Sequence, residues 1–330
     1  MSTANEVLLD VKDLKVEYHT DLEVVQAVNG VSFSLMKGTT FGIVGETGAG
    51  KTTTALSILG LLPDRTARVQ GGSIDFLDKN ILQATEKEML RIRGRRISMI
   101  FQDPMTALNP VITVGDQISE ALVLHNSENL TAQEIDKRVE ESLELVGIPA
   151  FRKIDYPHQF SGGMKQRVLI AIAIACEPDL LIADEPTSAL DVTIQAQVLA
   201  LMNELKTKLN TSMILITHDM GIVAQTCDDV CVMYAGEIVE IGTVQQIFHA
   251  EKHHPYTIGL FNSIPNIHSK SPRLNAIPGL MPDPTALPTG CKFSLRCTNC
   301  KDICKEVKPE YHIDGTHKIL CHHVNTVSSP

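Results

Sequence analysis

The sequence predicts an α/β fold with a parallel sheet, because three short apolar runs each end in residues that can bind an anion or a metal ion. The runs TFGIVG (40–45), LLIADE (180–185) and SMILITHD (212–219) have the length of buried strands. In open parallel sheets, ligands bind at the carboxyl ends of the strands. The polar residues that close these runs are therefore the first candidates for a functional site.

Composition limits the class of protein. The chain has 330 residues and 43% hydrophobic content, enough for about two domains of roughly 150 residues each. Its formal net charge of −10 argues against a general nucleic-acid-binding surface. No apolar run approaches the roughly 18 residues needed to span a bilayer, and the first residues lack the pattern of a signal peptide. We therefore expect an intracellular protein that is soluble or peripheral to a membrane.

The segment GETGAGKT (45–52) predicts a phosphate-binding loop, because it lies between a predicted strand and a predicted helix, KTTTALSILGLL. Its glycines allow several backbone N–H groups to point at one anion, and the helix N-terminus adds about half an elementary charge. We expect Lys51 to reach the β- and γ-phosphates of ATP and the Thr52 hydroxyl to coordinate Mg²⁺. The residues predicted to contact ATP here are Gly45, Glu46, Thr47, Gly48, Ala49, Gly50, Lys51, Thr52 and Thr53.

The other two apolar runs end in candidate catalytic groups. Asp184 is placed to hold Mg²⁺, directly or through water, and Glu185 to polarise the attacking water. The alternative is that this pair only caps the N-terminus of a helix, since Pro186 follows. His218 is expected to contact the γ-phosphate and to orient the water and Glu185.

Together with two further strings, these motifs resemble the ATP-binding-cassette (ABC) family of ATPases over roughly residues 8–265. The strings are MIFQDP (99–104) and FSGGMKQR (160–167). The second resembles the LSGGQ signature loop, with Phe160 and Met164 in place of Leu and Gln, a variant similar to the peptide and nickel importer branch.

The resemblance implies a P-loop NTPase fold and a division into domains. It implies an ABC ATPase domain over residues 1–250, with a RecA-like core and a helical subdomain at about 103–160. Residues 107–126 and 130–148 show apolar residues at helical spacing, as that subdomain requires. Residues 251–330 would form a C-terminal extension.

The resemblance also assigns roles outside the phosphate loop. It implies that Tyr18 stacks on adenine, that Val28 lines the same pocket and that Gln102 senses Mg²⁺ and water. Asp191, in SALD, would touch the partner subunit. The catalytic set would be Lys51, Gln102, Glu185 and His218. The Mg²⁺ ligands would be Thr52, Gln102 and Asp184. The residues that would close over the ATP of the opposite subunit are Ser161, Gly162, Gly163 and Met164.

The C-terminal extension has its own signature. HHPYT (253–257) resembles the HPY motif of the peptide-importer extension, and the proline-rich stretch 264–290 predicts an extended linker. Five cysteines follow within 291–321. An iron–sulfur cluster or Zn²⁺ suits four thiolates in so small a segment, which is too short and polar to fold on its own core.

The resemblance assigns a [4Fe–4S] cluster to Cys291, Cys297, Cys304 and Cys321, with a structural role. Zinc and free thiols are the alternatives, and a histidine could replace a thiolate in a zinc site. The candidate histidines are His317, His322 and His323. The additional Cys300 forms a Cys-x2-Cys pair with Cys297 and leaves the ligand choice open. The nearby cations Lys292, Arg296 and Lys301 are expected to form a solvated charged face rather than a regulatory patch.

The implied function is that of an ATP-hydrolysing subunit, peripheral at the cytoplasmic face of the cell membrane, that energises import of di- and oligopeptides. Its implied partners are a second, different cassette subunit, two transmembrane permease subunits and an extracytoplasmic substrate-binding protein, with no nucleic acid. DPMTALNP (103–110) is the candidate contact with the permease. A nickel-chelate importer ATPase and a soluble or redox-sensing ABC ATPase are the alternatives.

Overall fold

The structure is a computed structural model that describes residues 6–126, 129–188, 190–263 and 277–326. Part of the predicted linker, residues 264–276, lies outside the described residues, as does Ala189 of the SALD motif. The strands are β1 (Val7–His19), β2 (Val24–Met36), β3 (Thr40–Val44), β4 (Ala67–Phe76), β5 (Lys79–Asn80), β6 (Ile97–Ile100), β7 (Leu180–Asp184), β8 (Ser212–Thr217), β9 (Asp229–Tyr234), β10 (Glu237–Thr243), β11 (Lys252–His253), β12 (Tyr311–Asp314), β13 (His317–Leu320) and β14 (Asn325–Thr326).

The helices alternate with these strands. They are α1 (Lys51–Ile58), α2 (Glu86–Ile92), α3 (Pro104–Ala107), α4 (Val114–Leu124), α5 (Ala132–Leu145), α6 (Gly162–Ile174), α7 (Val192–Leu209), α8 (Met220–Thr226), α9 (Val244–His249), α10 (Pro255–Asn262) and α11 (Asp302–Glu306). Of the helices that the structure describes, none has both the length and the apolar composition needed to cross a membrane.

The chain divides into two compact units. The first comprises Met1–Glu6, Met36–Thr39 and Gln83–Leu215. The second comprises Val7–Leu35, Thr40–Leu82 and Ile216–Pro330. The boundary near residue 250 and the limits of the helical subdomain stay predictions.

The first unit combines a short sheet with helices. Its strands follow the order β8-β7-β6, and β6 pairs with β7 in parallel. The spacing-based prediction of helices between the glutamine and signature motifs is confirmed by α4 and α5. The Thr131 side chain caps α5 by accepting a hydrogen bond from the N–H of Glu134. The Glu134 carboxylate in turn accepts a hydrogen bond from the N–H of Thr131. This capping box is encoded in the local sequence, so the sequence fixes where the helix begins.

The second unit holds three groups of paired strands. Their orders are β12-β13-β10-β9-β3, with β3 and β9 parallel, β2-β1-β4-β5, and β11-β14. Strand β13 of the C-terminal extension pairs antiparallel with β10. The rings of Tyr234, Tyr256 and Phe293 pack together with centroids 4.7 to 5.5 Å apart. The extension is therefore joined to the cassette strands by both backbone pairing and an aromatic core.

A fully buried carboxylate connects three segments of this unit. Oε1 of Glu240 lies 2.7 Å from Nδ1 of His253 and 2.9 Å from Nε2 of His317, and Oε2 accepts the N–H of His254 at 2.8 Å. Burial alone would raise the pKa of Glu240, but the hydrogen bonds with His253 and His317 lower it to about 2. The ionised carboxylate is therefore the state that the fold stabilises.

We expect Glu240→Gln to destabilise the protein by about 3 kcal/mol at pH 7, because removing one partner of a buried ionic group leaves the others uncompensated. Since the folded pKa lies below the ordinary value of 4.5, the stabilisation is complete above about pH 4.5 and is lost as the pH falls towards 2. Urea unfolding across this pH range should show the difference between wild type and variant shrinking. The exposed Glu310→Gln serves as the control, and a difference that stays constant with pH would contradict the assignment.

Candidate functional site

The predicted phosphate loop lies between β3 and α1, so the strand–loop–helix prediction is confirmed. Its curvature depends on glycine. A Cβ at Gly45 would clash with the carbonyl oxygen of Met233, and one at Gly50, where φ is +98°, would lie 2.5 Å from the carbonyl oxygen of Ala27. No other residue type fits these two positions without displacing backbone.

Lys51 is buried inside the curl of this loop. Its Nζ donates hydrogen bonds to the carbonyl oxygens of Gly45, at 2.6 Å, and Glu46, at 3.0 Å. Thr52 is exposed at the start of α1. Both positions suit the roles predicted for these side chains, although their contacts with ATP and Mg²⁺ stay predictions.

The two predicted adenine contacts differ in their surroundings. The hydroxyl of Tyr18, on β1, lies 3.3 Å from Oγ1 of Thr53 in the first turn of α1, so the structure brings this ring next to the phosphate loop. Val28, on β2, is only 1% exposed and belongs to the hydrophobic core. The aromatic side chain is thus the more accessible of the two.

In the first unit, Gln102 and Glu185 lie together. Nε2 of Gln102 donates to Oε2 of Glu185 at 2.9 Å, and the Ser188 hydroxyl donates to the same oxygen at 3.0 Å. Glu185 has a left-handed backbone with φ of 46°, a conformation that costs a non-glycine residue free energy. Asp184 is buried at the end of β7.

The alternative that Asp184 and Glu185 cap a helix is wrong. The next helix, α7, is capped by Asp191, whose carboxylate accepts the N–H of Ile194 at 2.9 Å. Asp191 therefore has a structural role, and its predicted contact with a partner subunit stays a prediction. His218 is exposed directly after β8.

The predicted signature loop begins α6. Ser161 caps this helix by accepting the N–H of Met164 at 3.4 Å, and Gly162 and Gly163 form its first turn. Phe160 is buried, and the Arg152 guanidinium lies 4.2 Å from the centroid of its ring. Nη1 of Arg152 also lies 3.7 Å from Sδ of Met164. One arginine therefore contacts both residues that depart from the usual signature.

The four cysteines assigned by resemblance line one cavity in the second unit. Cys291, Cys297, Cys304 and Cys321 all contribute to its wall, whereas Cys300 does not. All are free thiols, and burial raises the pKa of Cys291 to about 12. Such a buried thiol stays protonated unless a metal ion takes the place of its proton. This donor set fits a thiolate-bound metal group.

Histidines occupy two different places near this cavity. His322 and His323 line it, and Nε2 of His323 is buried with no hydrogen-bond partner among the residues that the structure describes. His317 instead lies against Glu240, so it does not fit the role of a substitute ligand at the cysteines. Ligand atoms of Glu240, His253 and His317 lie within 4.8 Å of one another, but the hydrogen bonds among them satisfy the carboxylate without a metal ion.

The expectation of a solvated charged face is wrong for Arg296. Its side chain is 5% exposed, and Nη1 lies 2.9 Å from Oε2 of Glu46 in the phosphate loop. The local sequence did not reveal that Arg296 is buried, because its partner, the Glu46 carboxylate, lies 250 positions earlier in the chain. The only sequence signal is that Arg296 directly precedes a predicted metal ligand, Cys297.

Comparisons with known proteins agree with these motifs. Residues 28–188 match the family described as ABC transporter, and residues 239–304 match the oligopeptide/dipeptide transporter, C-terminal region. The chain is 52% identical over 319 residues to the dipeptide transport ATP-binding protein DppD of Bacillus subtilis (strain 168), covering 96% of this chain and 94% of the relative. It is 50% identical over 304 residues to the oligopeptide transport ATP-binding protein AppD of the same organism, covering 92% of each.

A solved structure supports the fold. CbiO1 from Clostridium perfringens, part of the ABC transporter complex cbiONQ, superposes with a TM-score of 0.65 at 30% identity, covering 74% of this chain and 92% of that chain. The predicted α/β fold and the family resemblance are thus confirmed. This chain belongs to the ATP-binding-cassette family, as an ATPase with the nucleotide-binding domain of ABC transporters and the P-loop NTPase fold.

Proposed function

We propose that this chain is the ATP-hydrolysing subunit of an importer of di- and oligopeptides. The observation that carries the proposal is the combination, in one chain, of an ABC transporter segment with the oligopeptide/dipeptide C-terminal region. The relatives at about 50% identity are named dipeptide and oligopeptide transport ATP-binding proteins. Neither the nickel-chelate importer nor the soluble ATPase has comparable support.

At the phosphate loop, backbone N–H groups and the N-terminus of α1 bind the phosphates of ATP. Lys51 exchanges its hydrogen bonds with the loop carbonyls for contacts with the β- and γ-phosphates, while Tyr18 stacks on adenine. Thr52 and Asp184 hold the Mg²⁺ that accompanies ATP, which neutralises charge on the transferred phosphoryl group.

Hydrolysis requires a group that polarises water. Glu185 has this role in the proposal, and its hydrogen bond from Gln102 supports it because the amide fixes the position of the carboxylate. Gln102 also senses Mg²⁺, and His218 contacts the γ-phosphate. The signature residues of a second, homologous cassette complete the site in trans, and Asp191 contacts that subunit. We propose that the second cassette is a different chain.

Exposed apolar side chains support a permease contact on the first unit. A groove between α4, α5 and residues 150–154 carries two exposed apolar side chains, Val123 and Ile154, which are 55% and 70% exposed, beside charged lining residues that include Asp116, Asp136 and Lys153. Exposed apolar patches of this kind commonly mark protein contacts. We propose that this groove, together with residues 103–110, receives a helix of a transmembrane permease. The chain would thus be peripheral at the cytoplasmic face, and an extracytoplasmic binding protein would deliver peptides to the permease.

We propose that Cys291, Cys297, Cys304 and Cys321 bind a structural [4Fe–4S] cluster. Their position around one cavity supports this set, and Cys300, which does not line that cavity, is left out of the proposal. Zinc is the alternative, and His323 is the histidine that would join it, because its Nε2 is buried in the cavity wall and no residue in the described ranges bonds to it.

Glu185→Gln tests the proposed function directly. We expect the variant to bind ATP with near wild-type affinity and to lose at least about 100-fold in turnover, because the amide cannot accept a proton from water. In cells that lack this chain, wild type should restore uptake of labelled di- and oligopeptides and the variant should not.

The exposed Glu204→Gln, on α7, is the matched control and should behave as wild type. Labelled nickel offered in parallel distinguishes the importer classes. Restored nickel uptake alone would replace peptides by a metal chelate as cargo. Normal turnover by Glu185→Gln would remove this residue from its proposed role.

Ile154→Asp tests the permease contact. Replacing this exposed apolar side chain by a carboxylate should weaken co-purification with the permease subunits at least about tenfold, while ATP binding by the isolated chain stays unchanged. Leu22→Asp is the control, because Leu22 is an exposed leucine of the other unit. Equal recovery of the permease with both variants would refute this docking surface.

Cys297→Ser and Cys300→Ser separate the ligand set. The first should lose iron and acid-labile sulfide and unfold at lower temperature, because the metal group supports the segment. The second should keep wild-type metal content, measured by elemental analysis of anaerobically purified protein. Zinc without iron in the wild type would replace the cluster assignment, and metal loss in Cys300→Ser would revise the ligands.

A further inference from the structure

One residue of the phosphate loop, Glu46, is held at three points. Its backbone N–H donates to the hydroxyl of Tyr256 at 2.9 Å. Its carbonyl oxygen accepts a hydrogen bond from Nζ of Lys51 at 3.0 Å. Its carboxylate oxygens lie 2.9 and 3.2 Å from Nη1 of Arg296. Tyr256 lies within the HPY motif, and Arg296 lies in the segment that follows it.

Arg296 is itself firmly fixed. Its Nε donates to the carbonyl oxygen of Pro278 at 2.9 Å, and its Nη2 to that of Ile277 at 3.4 Å. The guanidinium carbon lies 5.7 Å from the centroid of the Tyr234 ring. These contacts fix the direction of the guanidinium independently of Glu46. Arg296 is therefore a preorganised cation next to the phosphate loop.

The same small core contacts the cysteines. Cys291 and Cys297 pack against the cluster formed by Tyr234, Tyr256 and Phe293. Arg296 is the residue directly before Cys297. The segment that holds the cysteines therefore also positions the two side chains, Tyr256 and Arg296, that hold the phosphate loop.

Resting on the proposed ATPase function, we propose that Arg296 is a positioning residue for the phosphate loop and that, through it, the folded cysteine segment sets the affinity for ATP. Without Arg296, the carboxylate of Glu46 would place an uncompensated negative charge in the loop that binds a triphosphate. The carboxylate would also lose the partner that holds this part of the loop in its curled conformation. Both effects oppose binding of ATP.

The test measures binding of a fluorescent ATP analogue to the full-length, metal-loaded chain. Arg296→Met should weaken binding about tenfold, a typical strength for coupling between linked sites. Arg296→Lys should be intermediate, because an ammonium keeps the charge but not the planar fork of donors. In turnover assays the KM for ATP should rise with little change in kcat, since the loop contacts are made before the chemical step. Arg65→Met, at an exposed arginine of the same unit, is the control.

A double-mutant cycle distinguishes positioning from a merely structural role. If Arg296 acts on the Glu46 carboxylate, Arg296→Met should weaken ATP binding far less in a Glu46→Gln background. Equal losses in both backgrounds, or unchanged affinity in Arg296→Met, would overturn the proposal. If Arg296→Met does not fold, the same cycle with Arg296→Lys decides in the same way.

The link to the cysteines is tested with Cys297→Ser. Its metal content and ATP affinity are measured on one preparation. We expect metal loss together with about tenfold weaker ATP binding, and no further loss when Arg296→Met is added. Metal loss with unchanged affinity would overturn the coupling. Normal turnover by Glu185→Gln would reject the hydrolysis assignment and leave these affinities unaffected, so the two failures are distinguishable.

Discussion

The phosphate loop presents its N–H groups to an anion only because its own backbone is restrained from the opposite side. Carbonyl groups of Met233 and Ala27 leave no room for side chains at Gly45 and Gly50. Glycine makes this curvature accessible, but it also gives the unfolded loop more conformational freedom to lose. A glycine-rich loop therefore gains from contacts that fix its remaining residues. Glu46, held at N–H, carbonyl and carboxylate, supplies those contacts.

The C-terminal extension can supply two of these contacts because it is built into the second unit and is not an appendage to it. Strand β13 continues the sheet of β10, and the buried carboxylate of Glu240 needs His253 and His317 at the same time. A buried ionic group tolerates loss of a partner poorly. Separation of β13 from β10 would thus expose or orphan Glu240. Strand pairing and the buried ionic contacts therefore make the extension and the cassette strands of this unit unfold cooperatively.

Sequence predicted the elements whose causes are local. The strand before the phosphate loop and the helices α4 and α5 follow from apolar period, glycine and threonine caps, which act over a few residues. Arg296 and Glu240 were missed because their partners lie 250 and up to 77 positions away. A lone charge gives the same local signal whether it is solvated or paired. Glu240 did carry a trace of its burial, since it stands between the apolar residues Val239 and Ile241. Spacing alone ranks Cys300 with the other cysteines, and only the folded chain shows that Cys291, Cys297, Cys304 and Cys321 line one cavity.

The hydrogen bond between Gln102 and Glu185 explains why an amide suits this position. A glutamine carries a donor and an acceptor on one group, and here Nε2 is directed at the carboxylate, which leaves Oε1 available for a cation. A glutamate at the same place would offer acceptors only and would oppose a second carboxylate at hydrogen-bond distance. In the proposed mechanism, a metal ion at Oε1 and the carboxylate of Glu185 would therefore contact opposite sides of one planar amide. The same carboxylate oxygen of Glu185 accepts hydrogen bonds from the amide and from the Ser188 hydroxyl, so two donors fix its position.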